Sequence, residues 1–96
     1  MIVSFGDKIT EDIYNGINSK AARSIPHNIW NTACRKMDMI NAAYELYDLR
    51  IPPANRLEKL KGKLLGYYSV RINDQFRIIF QWNNHNAENV QIIDYH

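Results

Sequence analysis

Tyr67-Tyr68-Ser69-Val70-Arg71-Ile72, then Asn73-Asp74, then Phe76-Arg77-Ile78-Ile79-Phe80-Gln81-Trp82 is the stretch whose reading decides the fold. Two runs rich in β-branched and aromatic residues, joined by a short polar segment with Asn and Asp, spell an antiparallel hairpin. Period-two alternation puts Val70 and Ile72 on one side of the first strand and Arg71 on the other. In the second strand Arg77, Ile79 and Gln81 share one face, opposite Ile78 and Phe80. Both arginines emerge on a common side if the register aligns them, and the apolar side then needs a covering layer.

Downstream, Asn83-Asn84-His85-Asn86 reads as the next turn and residues 89 to 94 as a last strand, which gives a three-stranded antiparallel meander. Upstream, Pro52 and Pro53 forbid a helix from continuing, because proline lacks the amide proton and restricts the residue before it. Trp30, Ala33, Met37, Ile40, Tyr44 and Tyr47 alternate spacings of three and four, which predicts a helix over 26 to 48 with Pro26 at its start and this stripe on the sheet. A shorter helix over 8 to 15 is capped by Asp7 and stops at Asn15-Gly16. Ile2, Val3 and Phe5 form a short β-rich start that ends at Gly6. The expected architecture is α+β: a short N-terminal strand and two helices packed on an antiparallel sheet, in the order β-α-α-β-β-β, as one domain over residues 1–96.

The 96 residues suffice for one core, and a second would leave each half too small to fold unaided. Net charge is only +2, but its distribution is uneven. Arg50, Arg56, Lys59, Lys61, Lys63, Arg71 and Arg77 face only Glu58 and Asp74 between residues 50 and 77, a cationic stretch fit to meet a polyanion. A lone Cys34 rules out an intramolecular disulfide and reads as a small buried hydrophobe. No signal peptide or membrane span is legible, so a cytoplasmic protein without membrane contact is expected. His27 and His85 stand apart from any metal-ligand spacing, and no phosphate-cradling Gly loop or Ser-His-Asp pattern occurs. Neither metal nor cofactor is expected.

The segments Leu46-Tyr47-Asp48-Leu49-Arg50-Ile51-Pro52-Pro53-Ala54, Asn55-Arg56-Leu57-Glu58-Lys59-Leu60-Lys61-Gly62, Gly66-Tyr67-Tyr68-Ser69-Val70-Arg71-Ile72-Asn73-Asp74-Gln75-Phe76-Arg77-Ile78 and Asp94-Tyr95-His96 together resemble HigB toxins of the RelE/ParE superfamily. They span nearly the whole second half of the chain. The first half agrees in length and helical pattern more than in distinctive residues. The resemblance implies a RelE-like microbial RNase fold. It also implies the toxin of a type II toxin–antitoxin pair, a ribosome-dependent mRNA endoribonuclease that arrests growth. Its implied partners are a HigA-type helix-turn-helix antitoxin, the ribosome and mRNA, with operator DNA reached only through the antitoxin. Related ParE toxins share the architecture yet poison DNA gyrase, so fold alone leaves a gyrase inhibitor, or a plain binding module, as alternatives.

Metal-independent RNA cleavage must take the 2′-hydroxyl proton, stabilise negative charge on the phosphate and protonate the departing 5′-oxygen. Lys61 and Arg77 match basic positions of the family and suit the charge-stabilising role, since Arg binds phosphate through two hydrogen bonds. His96 is the candidate proton-transfer group, with Asp94 orienting it and Tyr95 stacking on a nucleotide or donating a hydrogen bond. Some relatives carry a histidine three residues before the lysine of the basic loop, where this chain has Glu58. Glu58 is therefore a candidate base, and the division of acid and base labour stays open. Arg56, Lys59, Lys63 and Arg71 are candidate RNA-backbone contacts. Tyr67 and Tyr68 alternate faces, and Tyr68 is the one assigned to stacking on RNA.

Overall fold

The hairpin forms where the alternation places it, and everything else is arranged around its two faces. The computed structural model describes residues 1–95. Strand β2 (Tyr68–Arg71) pairs antiparallel with β3 (Phe76–Asn83), with Tyr68 opposite Phe80 and Arg71 opposite Arg77. Strand β4 (Asn86–Asp94) follows on the far side of β3 and starts three residues earlier than the expected 89. Its turn consists of Asn84 and His85, both at positive φ (50° and 66°), the backbone of a two-residue hairpin loop that matches strand twist. The sheet joins to the three strands of the expected meander a fourth from the segment before it. Glu58–Lys59 forms a two-residue edge strand, β1, pairing Glu58 with Ser69 and Lys59 with Tyr68, in the order β1-β2-β3-β4. Two residues are too few to show a period, so this strand was invisible as a pattern.

Ala87 and Val90 both point into the core although three residues apart, which plain alternation forbids. The register between β3 and β4 shifts beyond Ile79, and Asn89 there adopts φ 53°. One extra residue in β4 resets the alternation, as a β-bulge does. The chain start runs parallel to the outer edge of β4 through isolated bridges of Ile2 to Ala87 and Phe5 to Val90 rather than as the short continuous strand expected. Further along, the Thr10 hydroxyl accepts from the buried Ile92 amide at 2.9 Å. Together the chain start and Thr10 take up the β4 amides of Ala87, Asn89, Val90 and Ile92, which blunts this edge.

Helix α1 (Lys8–Tyr14) is capped as expected, the Asp7 carboxylate accepting from the Thr10 amide at 2.8 Å. Helix α2 covers only Trp30–Ala42, much less than residues 26 to 48. A 3₁₀ turn (His27–Ile29) precedes it, and Ala43 is extended. A second 3₁₀ segment (Leu46–Arg50) then restarts from a reciprocal cap between Glu45 and Asp48. Consequently Ala33, Met37 and Ile40 are buried as the stripe requires, while Tyr44 and Tyr47 are exposed and Leu46 and Leu49 take the inward positions. Tyr44 stacks on His85, and Tyr47 lies under the Arg50 guanidinium.

Both helices pack on one face of the sheet, where Ile13, Ala33, Met37 and Ile40 meet Val70, Ile72, Phe76, Ile78, Phe80, Val90 and Ile92. Cys34 is half-buried beside them, and burial pushes its thiol pKa up. Among the described residues no helix is long and apolar enough to cross a membrane. The opposite face of the sheet carries Glu58, Ser69, Arg71 and Arg77 beside the apolar Ile79 and Ile93.

Candidate active site

Register alone gathers the polar face. Because Glu58 pairs with Ser69, and Arg71 with Arg77, which in turn pairs with Ile93, these residues share the side turned away from the helices. At its centre Arg77 is 7% exposed, unusually low for a guanidinium. Its Nη1 donates to the Ser69 hydroxyl and, at 3.4 Å, to the Arg56 carbonyl. Its Nη2 lies 3.8 Å from Glu58 Oε1, and the Tyr95 ring centroid sits 5.3 Å from its Cζ. The Tyr95 hydroxyl donates to Glu58 Oε2 at 3.5 Å, which closes a triangle of guanidinium, carboxylate and phenol. Burial makes such a fixed cation act more strongly on an incoming anion than a solvated one.

Two turns hold this geometry. The 3₁₀ turn Pro53–Asn55 ends with Arg56 in the left-handed region (φ 46°, ψ 55°), from which its carbonyl meets Arg77. That turn is anchored by buried Asn55, whose amide donates to the Leu49 carbonyl at 3.2 Å and whose oxygen accepts from Lys36 Nζ at 2.6 Å. At the other side the Tyr95 amide donates to the Gln75 carbonyl at 2.7 Å and Gln75 Nε2 to Asp94 at 3.0 Å, which ties the end of β4 to the hairpin turn.

The structure therefore brings together Glu58, Arg77 and Tyr95, three of the residues singled out from sequence. Asp94 lies on the flank, bonded to Gln75. Arg71 sits across from Arg77 but is paired with Asp74, which offsets part of its charge. Burial pushes the Lys36 pKa down, with Arg35 and Arg71 adding like-charge repulsion. Lys61 and Lys63 are exposed in the loop beyond β1 and form no ion pair among the described residues. Arg56 contributes its carbonyl to the site and leaves its side chain exposed. His96 lies outside the described residues.

One assignment changes. Tyr68 pairs with Phe80 on the helix-covered face, its ring 6.3 Å from that of Phe80, so it belongs to the core rather than to an RNA platform. Lys59 pairs with Tyr68 and by the same alternation points away from Arg77. For Tyr68 the reading took the inward member of an alternating pair, while Lys59 remains an exposed cation off the Arg77 face. What sequence reasoning missed is Ser69, the fully buried hydroxyl under Arg77. Its signal was available: a small polar residue on the Arg71 side of an otherwise apolar strand.

Comparison with known proteins bears on the family and the fold. The family model for the RelE-like toxin HigB of type II toxin–antitoxin systems matches residues 3–96. A protein named toxin HigB-1 from Vibrio cholerae serotype O1 is 46% identical over 82 residues, covering 85% of this chain and 84% of its own. An uncharacterised protein of Haemophilus influenzae is 43% identical over 68 residues, 71% of this chain and 67% of that protein. Among solved structures, a YoeB–YefM complex from Staphylococcus aureus aligns over 100% of this chain and 98% of its counterpart at TM-score 0.58 and 20% identity. A YoeB dimer from the same species aligns over 99% and 94% at TM-score 0.56 and 22% identity. At these identities the solved structures speak for the α+β fold alone.

Proposed function

Since the chain belongs to the HigB-like family, the RelE-like toxins of type II toxin–antitoxin systems, we propose that it cuts messenger RNA on the ribosome and thereby halts translation and growth. The observation that carries this reading is the triangle of Arg77, Glu58 and Tyr95, which offers a phosphate-binding cation, a proton acceptor and an aromatic ring on one open face. In the proposed reaction Glu58 takes the proton of a 2′-hydroxyl, and the 2′-oxygen attacks the adjacent phosphorus. Arg77, assisted by Lys61, stabilises the added negative charge. The bond to the 5′-oxygen breaks, and protonated His96 donates to that oxygen. The products are a 2′,3′-cyclic phosphate and a free 5′-hydroxyl, with every proton accounted for and no metal required.

Arg71, Lys63 and the Arg56 side chain are proposed to track the RNA backbone, while Tyr95 stacks on a nucleotide beside the scissile phosphate. The whole chain acts as one domain in the cytoplasm, where its ribosomal substrate resides. Restraint of such a nuclease falls to an antitoxin of the HigA helix-turn-helix kind, through which operator DNA is reached indirectly. The test is growth and 5′-end mapping of cellular mRNA during expression of wild type beside Arg77→Ala and His96→Ala, with folding checked by circular dichroism. Codon-registered cuts made by wild type and by neither variant are expected. Growth arrest with gyrase-dependent DNA breaks and no RNA cuts overturns the reading in favour of a ParE-like inhibitor.

A further inference from the structure

We propose that Ser69 is a positioning residue that holds the Arg77 guanidinium ready for the phosphate, an inference that rests on the nuclease reading above. Ser69 is fully buried in the middle of β2, where it lies between Glu58 and Ile79 across the ladder, and Ile79 is buried and apolar. A hydroxyl in such a place is costly unless it is hydrogen-bonded. Its partner is Arg77 Nη1. The same nitrogen reaches the Arg56 carbonyl, which is presented by a left-handed φ of 46° that arginine seldom adopts.

Two acceptors from two different elements therefore occupy Nη1 and set the plane of the guanidinium. The fork is divided: Nη1 is spent on the scaffold, and Nη2, on the Glu58 side, is the nitrogen offered to an incoming anion. A cation held this way loses little freedom on binding and needs no reorientation as charge builds on the phosphate. Without the Ser69 oxygen the guanidinium is free to rotate toward Glu58. There it forms a closer pair with the group assigned to accept the proton, which weakens both roles at once. Ser69 touches neither substrate nor reacting atoms and acts only through Arg77.

Ser69→Ala removes the oxygen and little else, and Ser69→Thr restores a hydroxyl on a residue favoured in strands. With mRNA-programmed ribosomes, Ser69→Ala is expected to lower kcat by roughly 10- to 100-fold, the scale of a small misplacement of a reacting group, with KM nearly unchanged. Ser69→Thr is expected to recover most of that loss. Because Arg77 orientation is also visible without turnover, the Nη signals of Arg77 in ¹H–¹⁵N spectra supply a second readout. They should be resolved in wild type and Ser69→Thr and averaged in Ser69→Ala. Wild-type kcat in Ser69→Ala, or Nη signals identical in wild type and Ser69→Ala, overturns the proposal. A wild-type protein that cleaves no RNA sinks the nuclease reading instead, while the Arg77 spectra still decide whether Ser69 fixes the guanidinium.

Discussion

Glu58→Gln separates chemistry from architecture at this site. Glutamine keeps the shape of the side chain and an oxygen for the Tyr95 hydroxyl, but it cannot take a proton at neutral pH. The structure sets the stability cost low. The Glu58 side chain is half-exposed, its pair with Arg77 is long at 3.8 Å, and its bond from Tyr95 sits at the 3.5 Å limit. A pair this long, with its carboxylate half in water, contributes on the order of 1 kcal/mol although Arg77 is buried. For a domain of this size that corresponds to a Tm change of at most ~4–8 °C. Loss of a positioned general base, by contrast, costs about 10²- to 10⁴-fold in rate. The expected outcome is a folded protein with nearly unchanged KM for ribosome-bound mRNA and a kcat reduced by at least two orders of magnitude. Single-turnover cleavage at saturating toxin, beside thermal unfolding followed by circular dichroism, measures both quantities. A Glu58→Gln protein that cleaves at a rate close to wild type refutes the assignment and returns proton abstraction to another group. A protein that loses activity only in proportion to its folded fraction would instead make Glu58 an architectural residue.

Thr10→Val removes the acceptor of the buried Ile92 amide. It should cost roughly 1–3 kcal/mol and speed amide exchange at Ile92, whereas an unchanged melting curve and exchange rate would show that the edge of β4 is satisfied some other way. Hydrogen bonds from Lys8 and Ser19 hold the buried Asp12 carboxyl below its ordinary range. Its folded pKa is lowered, so the stability it contributes is present above the unfolded carboxylate pKa and is lost as pH falls through the folded value. Asp12→Asn should therefore melt earlier than wild type at neutral pH and alongside it in acid; a deficit that does not depend on pH contradicts this. Tyr68→Leu should lower stability by about 1 kcal/mol or more through loss of the ring pair with Phe80, while the folded fraction cleaves normally. Weakened RNA binding at unchanged stability would restore Tyr68 to the site.

The features legible in the sequence were those written by near neighbours. Asp7 three residues before the Thr10 amide marked the start of α1, Asn15-Gly16 its end, and the 67–82 stretch gave both strands of the hairpin and the shared face of Arg71 and Arg77. Each of these depends on contacts within a few residues or on a period of two, and such information is local to the chain. The motif likeness around Arg56 to Ile78 carried the family.

Tertiary structure decided the rest. No local rule tells that Glu58–Lys59 adds a strand beside β2, yet that pairing alone puts the Glu58 carboxylate against Arg77. The break at Ala43, where the stripe of α2 hands over to Leu46 and Leu49, yields exposed tyrosines at positions the helical period would bury. The bulge at Asn89 brings Ala87 and Val90 to one side, and the choice of core face sends Tyr68 inward and leaves Ser69 beneath the guanidinium. Alternation reports which residues of one strand share a face. Which face is buried, and which residue of a distant segment is brought against it, is set by long-range packing, so the site exists only once the sheet has closed.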